Sequence, residues 1–143
     1  MKIRKILLGF DGSPSSYKAF VEVIDLAISL KAAITVLTVV QLPDFSPIFD
    51  EIDESLGQAR KQFEIEFNKL KAKGKEQSLE ISCVLLTGNP AETMIRYAYE
   101  GNFDLIVVGT RGLGRLKQLL IGSVAQKVVT CANTPVLVIR DTN

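Results

Sequence analysis

The residues best suited to chemistry lie in a glycine-rich stretch that follows an apolar run. After Leu105–Val108 comes the segment Gly109–Arg115, with three glycines, and Gly122-Ser123 follows at the predicted start of a helix. Glycines allow backbone N–H groups to approach a phosphate closely. A helix N-terminus adds free N–H donors and the positive end of the helix dipole, and Ser123 adds a hydroxyl. The spacing indicates an anion site, although such glycines can also serve only to form turns.

The common phosphate-binding motifs do not fit this segment. The Walker A pattern requires a lysine before the Ser or Thr that follows its last glycine, and Gly122-Ser123-Val124 lacks that lysine. The dinucleotide fingerprint belongs after the first strand, where only Gly9 and Gly12 occur. Neither motif therefore identifies the anion.

Charged residues near these segments leave two interpretations open. Asp11 precedes Gly12-Ser13-Pro14, a context that is typical of a turn and equally compatible with ligand contact. The basic cluster Arg111, Arg115 and Lys117 lies within the glycine-rich stretch, where it can face phosphates or solvent.

Composition excludes several classes of function. The chain has no histidine, which excludes imidazole zinc sites, Ser-His-Asp triads and histidine acid–base catalysis. The net charge of +1, from 17 basic and 16 acidic residues, gives no reason to expect a nucleic-acid-binding surface. The apolar runs are far shorter than the ~20 residues needed to span a bilayer. No group of residues has the spacing of a protein metal site.

The two cysteines indicate the compartment. Cys83 and Cys131 each lie in an apolar run, which predicts buried thiols rather than a disulfide. The basic and apolar start reaches an acidic residue without a small-residue cleavage site, so it is interpreted as a first strand and not as a signal peptide. We therefore expect a cytoplasmic protein.

Strands and helices alternate along the chain, and this order positions the glycine-rich segment. The apolar and β-branched runs predict five strands at Ile3–Phe10, Ala33–Val40, Leu79–Leu86, Leu105–Val108 and Pro135–Arg140. Caps and apolar spacing predict four helices at 14–31, 52–73 with a stop at Gly74, 90–100 and 123–131, with an irregular loop at 41–50. This order predicts one α/β domain over residues 1–143, a parallel three-layer sandwich. Ligands bind such sheets beyond the carboxyl ends of the strands, where the winding reverses.

The glycine spacing is similar to a known family pattern. Gly109-x2-Gly112-x9-Gly122-Ser123 resembles the nucleotide-binding motif of the universal stress protein family, and further matching segments are Phe10–Ser13, Gly88–Pro90, Asp104–Gly109 and Thr134–Ile139. The resemblance implies a five-stranded parallel sheet of order 3-2-1-4-5, as in adenine nucleotide alpha hydrolase-like folds. It also implies a homodimer that binds ATP, or ADP or AMP, with Mg²⁺ or Mn²⁺ arriving with the phosphates.

The resemblance also implies roles for individual residues. Asp11 matches an acidic residue near the adenosine and is flanked by Gly9 and Phe10. Val39 matches a residue whose backbone contacts adenine, and Val108 lies at the base side of the pocket. The positions that line ribose and phosphates are matched by Gly109, Arg111, Gly112, Gly122, Ser123 and Val124. Ala125 stands where some ATP-binding members have a hydroxyl residue, which weakens the expected hold on a terminal phosphate.

Two functions remain for such a site. The favoured one is an ATP-dependent sensor or regulator in a stress response, without catalytic residues. The alternative is a slow ATP hydrolase or phosphotransferase, which needs a second carboxylate, and Asp44 and Asp50 are the candidates. A receiver domain is excluded because its acidic pair and lysine are missing, and a flavin carrier because its phosphate loop follows the first strand. The expected dimer contact is the fifth strand, through Val136, Leu137, Val138 and Ile139.

Overall fold

A computed structural model describes residues 1–42, 49–110 and 121–140. The strands are β1 (Lys5–Gly9), β2 (Ala33–Val40), β3 (Ile81–Thr87), β4 (Leu105–Gly109) and β5 (Val136–Ile139). The helices are α1 (Pro14–Leu30), α2 (Phe49–Glu76), α3 (Pro90–Glu100) and α4 (Ser123–Cys131). The strands form one parallel sheet in the order β3-β2-β1-β4-β5. The expected fold class and strand order are therefore confirmed.

The helix starts follow the capping residues in the sequence. Ser13 precedes α1, and its side chain accepts a hydrogen bond from the N–H of Ser16 at 3.1 Å. Asn89 precedes α3 and accepts from the N–H of Glu92 at the same distance. A proline follows each cap in the first helical position, where its missing N–H costs nothing. These local signals explain why both predicted starts are correct.

The helices cover the two faces of the sheet in pairs. One core cluster joins the sheet to α1 and α2 and contains Phe20, Leu70 and Phe10 among its buried residues. The other joins the opposite face to α3 and α4, with Met94 and Val128 buried in it. Since β1 pairs with β2 on one side and β4 on the other, the winding reverses at β1 and β4. None of the helices in the described ranges is long and apolar enough to cross a membrane.

The second helix departs from its predicted bounds. It begins at Phe49, within the predicted loop, and continues through Gly74 to Glu76, so the predicted glycine stop is wrong. Gly74 is buried, and a Cβ there would lie 2.5 Å from Cδ1 of Ile81 and 2.7 Å from the carbonyl oxygen of Leu79. The glycine therefore allows the helix to pack closely on the start of β3 rather than ending it. The predicted loop residues 43–48 lie outside the described residues.

The structure contradicts the prediction for one of the two cysteines. Both thiols are free, as expected, but Cys131 is exposed at the end of α4, so the prediction of a buried thiol is wrong there. The helix turns this residue away from the sheet, although Val128 and Val129 precede it closely in the sequence. Cys83 on β3 is half-buried, and this burial raises the pKa of its thiol to about 11. The Cys83 thiol is therefore protonated and unreactive at neutral pH.

A carboxylate fastens the amino end of β1. The Asp104 side chain accepts hydrogen bonds from the backbone N–H of Arg4 at 2.9 Å and of Lys5 at 3.0 Å. These bonds, with that of Arg4 the larger cause, hold the pKa of Asp104 below its ordinary value of 3.8. Because the folded pKa lies below the unfolded one, the carboxylate stabilises the fold above pH 3.8, and this contribution is lost as the pH falls through the folded pKa.

We expect the change Asp104→Asn to lower the urea midpoint at pH 7 and to have a smaller effect at pH 3. The amide lacks the charge that strengthens the two backbone hydrogen bonds, whereas at low pH the wild-type carboxyl loses that charge as well. Urea unfolding at both values of pH measures the difference, and Asp25→Asn, at an exposed position on α1, is the matched control. An equal loss at both values of pH contradicts this electrostatic account.

Candidate functional site

Three of the predicted site residues, Gly9, Val39 and Gly109, lie at the carboxyl edge of the sheet. Gly9 ends β1 and Gly109 ends β4, and these neighbouring strands flank the point where the winding reverses. Val39 lies at the end of β2, on the other side of β1. In a parallel sheet such a reversal leaves a crevice between the loops that follow the two strands.

The N-terminus of α4 faces this edge with its backbone donors uncapped by a side chain. Its N-cap is Gly122, which makes no side-chain hydrogen bond, in contrast to Ser13 and Asn89. The N–H of Gln126 donates the first helical bond, to the carbonyl of Gly122 at 3.0 Å. The N–H groups of residues 123–125 therefore precede the hydrogen-bonded helix, where donors and dipole favour an anion.

The described residues on either side of the glycine-rich segment are hydrogen-bonded to each other. The N–H of Gly122 donates to the carbonyl of Thr110, and the N–H of Thr110 donates to the carbonyl of Ile139 at 3.1 Å. Residues 110 and 122 are therefore adjacent at the edge of the sheet. The N–H of Gly122 is also engaged, so the donors left for an anion begin at Ser123. The predicted phosphate contacts Arg111 and Gly112 lie outside the described residues.

Asp11 lies in the turn between β1 and α1. Its side chain is half-buried, and Oδ1 accepts a hydrogen bond from the N–H of Ser13 at 2.9 Å. Gly12 between them has φ +82°, a conformation that favours glycine. The turn-forming role of Asp11 is thus present. Contact of its carboxylate with a ligand stays a prediction.

Three of the predicted binding residues support the edge through packing. The Phe10 ring is 3% exposed and packs edge-on against Tyr17 with 5.0 Å between centroids. A Cβ on Gly9 would lie 2.5 Å from Cε of Met94, and a Cβ on Gly109 would collide with Ser15 of α1. The space beside both glycines is therefore filled by the protein itself. Any contact of the two glycines with a ligand is left to their backbone.

The two predicted valines lie on the face of the sheet that α3 and α4 cover. Val108 is buried in the core cluster of that face, and the half-buried Val39 packs against the same cluster. At the start of α4, Ser123 and Val124 are exposed, whereas Ala125 is 4% exposed and packs into the cluster. Ala125 therefore presents a methyl group to the core, with no hydroxyl for a phosphate.

Sequence reasoning missed the residues that hold this edge in place. Thr38 donates from Oγ1 to the Phe10 carbonyl at 2.7 Å and is 1% exposed. Met94 covers Gly9, and Ser15 packs on Gly109. β2 carries two threonines, Thr35 and Thr38, and the sequence does not tell which hydroxyl is buried or which group it bonds. The contacts of Met94 and Ser15 depend on tertiary packing and have no local signal.

The structure does not describe the two carboxylates that an enzyme at this edge was expected to use. Asp44 lies outside the described residues, and nothing is described of the side chain of Asp50. Across residues 1–42, 49–110 and 121–140, no three His, Cys, Asp or Glu residues are grouped so that they could hold a metal ion.

Comparison with known proteins identifies the family. The sequence profile described as "Universal stress protein family" matches residues 2–140. The chain belongs to this family. Universal stress protein YxiE of Bacillus subtilis is 31% identical over 145 residues, which cover 95% of this chain and 98% of that protein. A universal stress protein of Thermus aquaticus is 34% identical over 140 residues, covering 96% and 98%.

Solved universal stress protein structures share the fold. The universal stress protein UspA from Lactobacillus plantarum superimposes with a TM-score of 0.92 at 26% identity, over 98% of this chain and 99% of that one. A universal stress protein in complex with cAMP has a TM-score of 0.71 at 23% identity, over 97% and 98%. One from Archaeoglobus fulgidus in complex with dAMP has 0.68 at 22% identity, over 97% and 99%.

Proposed function

We propose that this universal stress protein binds an adenine nucleotide at the carboxyl edge between β1 and β4 and acts as a nucleotide-dependent regulator in a stress response. The observation that carries the proposal is the start of α4, where N–H donors uncapped by a side chain meet the crevice of the sheet. The phosphates belong at this helix start, with Ser123 and the backbone N–H groups of residues 123–125 as donors. Arg111 and Gly112 are assigned to the same phosphates from the family motif.

The adenosine half is assigned to the ends of β1 and β2. Asp11 is a half-buried carboxylate at the end of β1, where one oxygen is used by the turn and the other can accept from the nucleoside. Val39 and Val108 offer apolar surface and backbone for the base on the same face of the sheet. Backbone contacts from Gly9 and Gly109 complete this half of the site.

Two structural relatives support the chemical class of the ligand. The complexes with cAMP and dAMP both hold an adenine, a sugar and one phosphate in proteins of this fold. We extend this class to ATP and ADP for the present chain, with Mg²⁺ or Mn²⁺ bound through the phosphates. A regulator of this kind needs only reversible binding of its nucleotide. We also place the protein in the cytoplasm, because free thiols such as its two cysteines persist there.

The proposal is tested by identifying the nucleotide in freshly purified protein. Heat denaturation followed by mass spectrometry is expected to release an adenine nucleotide, and calorimetry with ATP, ADP, AMP and GTP is expected to show binding of the adenine compounds. Protein that releases no nucleotide and binds none of the four contradicts the proposal.

We further propose a homodimer through the free edge of β5. Within the described residues β5 pairs only with β4, and the carbonyls of Pro135 and Ile139 accept from the N–H groups of Ile106 and Thr110. By the alternation of a parallel ladder, the backbone groups of Val136 and Val138 point away from β4. The strand consists of four half-buried apolar residues, Val136, Leu137, Val138 and Ile139. An edge of this kind invites pairing with a second copy.

We expect light scattering to give twice the chain mass of 15.7 kDa at micromolar concentration, and Val138→Lys to shift the protein to the monomer. The lysine places a charge on the edge that the two copies would share. The matched control is Val21→Lys, on an exposed position of α1 on the opposite side of the sheet from α4, which is expected to leave the mass unchanged. A wild-type monomer contradicts the dimer, and circular dichroism checks that both variants are folded.

A further inference from the structure

Phe10 remains attached to β2 beyond the last paired residue of β1. The strand ends at Gly9, which pairs with Leu37, yet the N–H of Phe10 still donates to the carbonyl of Leu37 at 2.9 Å. The hydroxyl of Thr38 then donates to the carbonyl of Phe10 at 2.7 Å. Both polar groups of the Phe10 backbone are thus held by β2, and the second of them is held by a side chain.

The bond from Thr38 fixes the peptide that leads into Asp11. The Phe10 carbonyl and the Asp11 N–H belong to one planar peptide unit, so holding the oxygen sets the orientation of the whole unit. On the far side of Asp11, its carboxylate holds the N–H of Ser13 and Gly12 takes φ +82°. The turn is therefore fixed at both ends, and Asp11 lies between the two fixed points.

Thr38 carries a hydroxyl at a buried position of β2 where packing requires only an apolar side chain of similar shape. Val36, two residues earlier on the same face of β2, packs in the core cluster with α1 and α2 without a polar group. Valine has nearly the shape of threonine, so packing alone would accept it at position 38. Thr38 is 1% exposed, and the bond from its hydroxyl to the Phe10 carbonyl is what threonine adds over valine at this position.

We propose that Thr38 is a positioning residue for nucleotide binding, which acts through the Phe10–Asp11 peptide to aim the Asp11 carboxylate at the nucleoside. This inference rests on the proposed function. Without the hydroxyl, the Phe10 carbonyl loses its bond and the peptide can rotate, so Asp11 spends less time in the binding orientation. The apparent affinity for adenine nucleotides is then the intrinsic affinity multiplied by the fraction of molecules that keep this orientation.

The test compares two substitutions at position 38 with one elsewhere on β2. We expect Thr38→Val to weaken AMP and ATP binding about tenfold, and Thr38→Ser, which keeps the hydroxyl, to remain within about threefold of wild type. Thr35→Val, near the amino end of the same strand, is the matched control and is expected to bind as wild type. Calorimetry gives the affinities, and urea unfolding shows whether each variant is folded. If Thr38→Val does not fold, Thr38→Ala is measured in its place.

A double-mutant cycle with Asp11→Ala separates positioning from general destabilisation. If Thr38 acts through Asp11, the pair Asp11→Ala and Thr38→Val binds no more weakly than Asp11→Ala alone. Additive losses, or a Thr38→Val variant that binds as wild type, overturn the positioning role while leaving nucleotide binding intact. Wild-type protein that binds no adenine nucleotide overturns the proposed function, and the positioning role with it.

Discussion

Replacing Gly122 by valine is expected to abolish most of the stabilisation that an adenine nucleotide gives to this protein. At 100 times its dissociation constant a ligand stabilises the folded state by about 2.7 kcal/mol, a thermal shift of several degrees for a chain of this size. The valine side chain would stand beside the first N–H groups of α4, where the phosphate is expected to bind. We therefore expect about a hundredfold loss of affinity, which at the same nucleotide concentration leaves a stabilisation of only about 0.4 kcal/mol.

The variant is well suited to the test because the backbone can accept it. Gly122 has φ −69° and ψ 165°, a conformation open to every residue type, and its N–H still has the Thr110 carbonyl as partner after the change. Gly57→Val on α2, where an added Cβ meets nothing within 4 Å, is the matched control. Thermal unfolding with and without ATP measures the shift. Equal shifts for wild type and Gly122→Val would show that the phosphates bind elsewhere.

The sequence predicted the architecture because its local signals agree with the packing. Ser13-Pro14 and Asn89-Pro90 specify helix starts by hydrogen bonds within four residues, and the β-branched run 33–40 forms β2 with the predicted bounds. Gly74 shows the limit of such signals. A glycine near the end of a helical pattern predicts the end of the helix. In the structure, a glycine is needed at this position because Ile81 of the next strand approaches it closely.

The same limit applies to the glycines of the candidate site. From the sequence alone, Gly9 and Gly109 suggest room for a ligand, but Met94 and Ser15 occupy the space beside them. These neighbours are 85 and 94 residues away along the chain, so only the assembled sheet brings them into contact. The start of α4 was predictable because a helix carries its own donors and dipole. Thr38 was not, because the carbonyl that it holds belongs to Phe10, which lies 28 residues earlier in the chain, after the end of β1.

The residues at the start of α4 and at the end of β1 argue against the alternative function, an ATP hydrolase. Fast phosphoryl transfer requires a positioned water or base and donors that stabilise the charge developing on the transferred phosphate. The chain has no histidine, and the one carboxylate described at this edge, Asp11, already uses Oδ1 to hold Ser13. Ala125 is 4% exposed and packs its methyl group into the core, so it offers no hydroxyl to a terminal phosphate.

We therefore expect ATP to bind with little advantage over ADP and to be hydrolysed far more slowly than by a dedicated enzyme. A hydrogen bond to a charged group contributes about 1.5–3 kcal/mol, so without it the two dissociation constants should agree within about tenfold. Calorimetry with both nucleotides measures the first expectation. Phosphate release over hours, with and without Mg²⁺ or Mn²⁺, measures the second. A turnover near 1 per second, the lower end of the usual enzyme range, would contradict the regulator and indicate a hydrolase at the same site.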